Sequence, residues 1–85
     1  MFLAAQVSIY PLRQQSLSRA IDEALDIFKQ YDLEVVPGTM SSVLSGDDEV
    51  LFTAIRKVVQ KTSEQGEVVV IATFSNACPV PGHVR

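Results

Sequence analysis

Hydroxyl-bearing side chains gather at two places in this chain: Thr39, Ser41 and Ser42 within TMSS, and Ser75, next to the amide of Asn76, after the last apolar run. Groups that both donate and accept hydrogen bonds suit the edge of a polar ring. Ser8 and Tyr10 add a further hydroxyl and an aromatic face, which can stack on a ring or meet a cation. Asp47, Asp48 and Glu49 follow Gly46 directly. Such carboxylates complement a cation and repel a phosphate ester, but an acid run before an apolar segment serves first as a helix cap and as a partner of the helix dipole. Covalent chemistry is poorly served. The one cysteine, Cys78, needs a base within hydrogen-bond reach, and the one histidine, His83, falls in a tail with no second ligand at metal-binding spacing. No catalytic residue, metal or cofactor is expected.

These groups need elements to place them. Ala5, Val7 and Ile9 alternate with Gln6, Ser8 and Tyr10, which predicts a strand over 4–10 ended by Pro11. Ser16 or Ser18 can cap a helix that carries Leu17, Ile21, Leu25 and Phe28 along one face, with Ala20 and Ala24. Leu33 to Val36 reads as a short extended segment closed by the turn dipeptide Pro37-Gly38, and a further strand is expected from Thr39 to Leu44. Ser45 or Asp47 begins a second helix, whose Val50, Leu51, Ala54, Ile55, Val58 and Val59 share a face until Gly66 stops it. Val68 to Phe74 is a β-branched strand, and NACPVPGHVR is a loop or tail.

The order strand, helix, strand, strand, helix, strand predicts an α+β ferredoxin-like βαββαβ domain. Its antiparallel four-stranded sheet carries two helices on one face. One domain fills 1–85, with a core over about 4–76 and a loop or tail at 77–85. The other sheet face receives Gln6, Ser8 and Tyr10, together with either Val69, Ile71 and Thr73 or Val68, Val70, Ala72 and Phe74. Both sets leave apolar groups in the open, the mark of an interface or a ligand groove. A homodimer or homotetramer joined through sheet faces, with a polar pocket at the edge, is the expected assembly.

Composition narrows the partners. At 47% hydrophobic, 20% charged and a mean hydropathy of +0.20, the 85 residues belong with folded domains. A chain this short supports one core and gains from a partner subunit. The net charge of −3 and the scattered basic residues exclude a nucleic-acid backbone as the main partner. MFLAAQVSIYPL lacks the basic start and unbroken apolar run of a signal peptide, and no stretch approaches a membrane span, so a cytoplasmic location without a membrane partner is expected.

Three stretches, VSIYPL at 7–12, PGTMSSVLSGDDEVLFTAI at 37–55 and VVIATFSNACP at 69–79, together resemble the YkoF-like family of thiamine- and hydroxymethylpyrimidine-binding proteins. The resemblance covers residues 5–80. It implies a ferredoxin-like fold that assembles through its sheets and binds thiamine, or its pyrimidine half, without chemistry. YkoF-type chains fuse two such domains, so a homodimer would replace the tandem copy here. A related single-domain branch often has an isoleucine-glutamate-glycine step where this chain has Val43-Leu44-Ser45-Gly46, and no contact by that glutamate is carried over.

An aminopyrimidine needs a flat slot and a few donor-acceptor groups, which Ser8, Tyr10, Thr39, Ser41, Ser42, Ser75 and Asn76 could supply. A cationic thiazolium would be met by Asp48 or a neighbouring acid, or by the face of Tyr10 or Phe74. Unphosphorylated thiamine is therefore favoured over its phosphate esters. Two other readings compete: an ACT-like module sensing an amino acid between subunits, and a small dimeric enzyme on the same fold. The enzyme lacks a histidine in the body of the chain to move a proton.

Overall fold

Along the chain run β1 (Phe2–Leu12), α1 (Leu17–Lys29), β2 (Glu34–Pro37), β3 (Ser42–Asp47), α2 (Asp48–Ser63) and β4 (Glu67–Ser75). The computed structural model describes residues 1–13, 17–39 and 41–77. The proposed cap Ser16, together with Cys78 and His83 of the tail, lies outside the described residues. The strands form one sheet in the order β2-β3-β1-β4, and every neighbouring pair is antiparallel. This is the ferredoxin-like α+β arrangement that the element order predicts.

β1 occupies the middle of the sheet, and its two-residue period sorts the core from the surface. Leu3, Ala5 and Val7 point to the helices and are buried. There they join Leu44 of β3, Ala24, Ile27 and Phe28 of α1, and Leu51, Ala54 and Val58 of α2 in one cluster. Ala20, Ala24 and Ala54 are fully buried, and side chains this small let the helices sit close to the sheet and to each other. Thr62, also fully buried, donates its hydroxyl to the Val58 carbonyl at 2.7 Å, so its polar atom is satisfied within the helix.

Several boundaries differ from expectation, each for a local reason. β1 does not stop at Pro11 but continues to Leu12, paired with β4. β3 leaves β1 at Val7, so beyond that point one side of β1 has no ladder and a missing proline N–H costs little. β3 begins at Ser42 rather than Thr39, because Gly38 donates its N–H to the Ser41 carbonyl at 2.8 Å and closes a turn over the preceding hydroxyls. Ser45 and Gly46 belong to β3, and Asp47 alone caps α2, accepting the Glu49 N–H at 3.2 Å. Gly46 has a packing role: a Cβ there would lie 2.7 Å from Leu33 Cδ2 and 3.2 Å from the Asp32 carbonyl oxygen.

The helix faces are also turned from expectation. α1 buries Ile27 and leaves Ile21 exposed, with Leu25 half-buried. Ser18 lies inside α1 rather than at its cap. α2 exposes Val59, while Thr62 takes the fourth buried position beside Leu51, Ala54 and Val58.

Candidate ligand-binding site

The unequal lengths of the strands create the site. Among the described residues, β1 is flanked by β3 from Phe2 to Val7, whereas from Ser8 to Leu12 it pairs with β4 alone. On the helix side, Ile9 therefore has no β3 neighbour to pack against. Ile21 and Leu25, one helical turn apart on α1, lean over this gap with Phe28, and the β2–β3 turn closes its end. The result is a cavity of about 80 Å³ with an apolar floor of Val7, Ile9 and Phe28. Gly38, Thr39, Ser41 and Ser42 form its rim. Among the described residues, no charged side chain lines it.

The nine residues singled out from the sequence fall in three places. Thr39, Ser41 and Ser42 come together at the cavity, though Thr39 and Ser41 sit on the turn and only Ser42 on a strand. The Ser41 hydroxyl accepts a hydrogen bond from Gln6 Nε2 at 3.1 Å, which holds it toward the open sheet face and ties the turn to the central strand. Ser8 and Tyr10 lie on the other sheet face, opposite Ile71 and Val69 of β4.

Asp48, Phe74, Ser75 and Asn76 occupy the far end of the molecule. Ser75 pairs with Ala4, five strand residues from Ile9, or roughly 17 Å at about 3.3 Å per residue. Its hydroxyl accepts the Ala77 N–H at 3.0 Å, and Asn76 follows in an exposed bend. Phe74 pairs with Ala5 and so faces the helix layer, where its ring centre is 5.0 Å from that of Phe52. Asp48 Oδ1 accepts from the Met1 ammonium at 3.2 Å, with Asp47 Oδ1 at 3.4 Å. The hydrogen bond to Asp48, then that to Asp47, raises the ammonium pKa above its usual value near 8. Asp48 is thus a first-turn acid with a cationic partner of its own, remote from the cavity.

The apolar walls Ile9, Ile21, Leu25 and Phe28 were not among the site residues expected from the sequence. Ile21 and Leu25 read as core positions, and only the mismatch between a long β1 and a short β3 reveals a gap beneath them. Among the described residues, no group of three or more His, Cys, Asp and Glu side chains could hold a metal ion, and no helix is long and apolar enough to cross a membrane.

Comparison with known proteins places the chain. It is 45% identical over 51 residues to the UPF0045 protein MJ1052 of Methanocaldococcus jannaschii, a match covering 58% of this chain and 51% of that protein. The chain thus spans about half the length of the curated relative it matches. The crystal structure of this archaeal protein superposes with a TM-score of 0.84 at 27% identity, covering 98% of this chain and 88% of that one. A domain of unknown function from Bacillus cereus has the same fold, with a TM-score of 0.79 at 19% identity over 88% of this chain and 75% of that one. So does a Thermotoga maritima protein provisionally assigned to thiamine biosynthesis or salvage, with a TM-score of 0.78 at 12% identity over 87% of this chain and 82% of that one. The model of the YKOF-related family matches residues 3–81, nearly the whole length, and the chain belongs to that family.

Proposed function

We propose that this chain is a non-catalytic binding protein for thiamine or its hydroxymethylpyrimidine precursor, and that the ring enters the cavity between β1, α1 and the β2–β3 turn. The observation that carries this reading is the cavity itself, an apolar floor bordered by the polar residues Thr39, Ser41 and Ser42, which matches a flat heteroaromatic ring with polar edges. Membership of the YKOF-related family supports it, as does the fold shared with a protein provisionally assigned to thiamine biosynthesis or salvage.

The cavity's size and charge refine the reading. About 80 Å³ falls well below the roughly 300–1,000 Å³ of most ligand pockets, so one ring is held and the rest of the ligand projects outward. Among the described residues the lining brings no cation to balance the charge of a phosphate ester. A second copy packed through the open sheet faces belongs to the same proposal, and Ser8 and Tyr10 serve that contact on the face opposite the cavity. The setting proposed for this work is the cytoplasm.

Calorimetric titration with thiamine, hydroxymethylpyrimidine and thiamine diphosphate in parallel tests the proposal. Saturable heat is expected from the first two and none from the diphosphate. Silence from all three at millimolar concentration would overturn it, and heat from amino acids instead would favour an ACT-like sensing module.

A further inference from the structure

The turn that borders the cavity lies just past the end of a ladder. Ser42 is the first residue of β3 on both sides, paired with Val7 of β1 and Pro37 of β2, and Ser41 precedes it. One backbone hydrogen bond, from Gly38 N–H to the Ser41 carbonyl at 2.8 Å, closes the turn. A Cβ on Gly38 would come 2.7 Å from that carbonyl oxygen, so the closed turn requires glycine there. A turn held by so little opens easily unless something else ties it down.

The tie comes from the other face of the sheet. Gln6 lies between Val43 of β3 and Thr73 of β4, and it is exposed while Ala5 and Val7 on either side of it are buried. Strand alternation therefore sets Gln6 on the face away from the cavity. Ser41 precedes Val43 on the same face and is a diagonal neighbour of Gln6, within reach of a long side chain. Gln6 Nε2 donates to Ser41 Oγ at 3.1 Å. The two adjacent hydroxyls thus diverge: that of Ser41 is drawn to the open face, while Ser42 shares the helix-side parity of buried Leu44 and lines the cavity.

We propose that Gln6 is a positioning residue for the cavity: from the far face of the sheet it holds the turn closed and so sets how firmly the ring is gripped. The inference rests on the ligand-binding reading and adds to it a side chain that touches no ligand. An exposed neutral hydrogen bond contributes modestly, so its loss should raise opening of the turn about 3–10-fold. Ligand affinity falls as the closed fraction falls.

Amide hydrogen exchange and calorimetry on the full chain test this together. The Gly38 amide reports closure of the turn without any ligand, and hydroxymethylpyrimidine reports the cavity. Gln6→Ala is expected to speed Gly38 exchange about 3–10-fold, with core amides such as Leu44 unchanged, and to weaken hydroxymethylpyrimidine roughly threefold. Ser41→Ala should match it, and the double variant should be no worse than either, because both changes remove one interaction. Gln6→Glu, whose carboxylate accepts from the Ser41 hydroxyl, should recover both readouts, and should recover neither when combined with Ser41→Ala. Unchanged exchange at Gly38, unchanged affinity where the parent chain binds, or additive losses in the double variant would overturn the proposal. No heat from the parent chain would instead remove the ligand-binding reading, and the exchange arm alone then decides: faster exchange confined to the turn sustains the tie, and unchanged exchange overturns it.

Discussion

The two ends of β1 have different environments although one strand runs through both. From Ala4 to Val7 the strand is paired with β3 on one side and β4 on the other, and Leu3, Ala5 and Val7 are buried with Leu44, Leu51 and Val58. From Ser8 to Leu12 it keeps only β4, and the space that β3 would have filled is the cavity rimmed by Thr39 and Ser42. Packing at the first end follows from a strand flanked on both sides and covered by helices. At the second end β3 stops short, and the gap left there is the cavity to which we assign the ligand.

The contrast should be plainest in stability. Leu44→Ala, at a fully buried site, is expected to cost about 2–5 kcal/mol in urea denaturation, while Leu25→Ala, beside an existing cavity, should cost about 1 kcal/mol. Equal losses would mean that the cavity end is packed as tightly as the core. Gly46→Ala probes the closed end differently. Its Cβ meets Leu33 Cδ2 at 2.7 Å and a backbone oxygen at 3.2 Å, so about 1–3 kcal/mol should be lost without any change in ligand affinity.

Removing the α2 cap with Asp47→Ala should cost about 1 kcal/mol, read as a lower thermal midpoint, again with binding intact. The smallest effect belongs to the Met1 ammonium. Its pKa is raised in the folded chain, so the contribution of its pairing is fully present below about pH 8 and fades as pH rises through the higher folded value. Since the group is exposed, salt should mask the effect. A midpoint unchanged between pH 7 and 10 at low salt would remove the pairing from the account.

How far these features could be read from sequence depends on the physics behind each. The element order follows from period-2 runs and from apolar positions spaced three and four apart, which are local. Strand parity in β4 could not be read, because both its odd and even residues are apolar from Val68 to Ile71; the pairing of Ala5 with Phe74 decides that Phe74 faces the helices. The start of β3 was hidden by TMSS, where Thr39 and Ser41 alternate like strand residues while a single turn hydrogen bond leaves Ser42 as the first residue of the ladder. The polar half of the cavity was legible as a cluster of hydroxyls. Its apolar half was not, because Ile9, Ile21 and Phe28 meet only through the crossover of α1 above a gap set by two strand lengths.

One titration tests the central claim most directly: calorimetry with hydroxymethylpyrimidine on the parent chain and on Ile21→Trp, whose larger side chain would fill the cavity from an exposed position of α1. Saturable heat from the parent, and none from a variant with an unchanged melting temperature, is the predicted result. Equal binding by both would place the ligand elsewhere, on the open face beside Ser8 and Tyr10, and would contradict the assignment of the cavity.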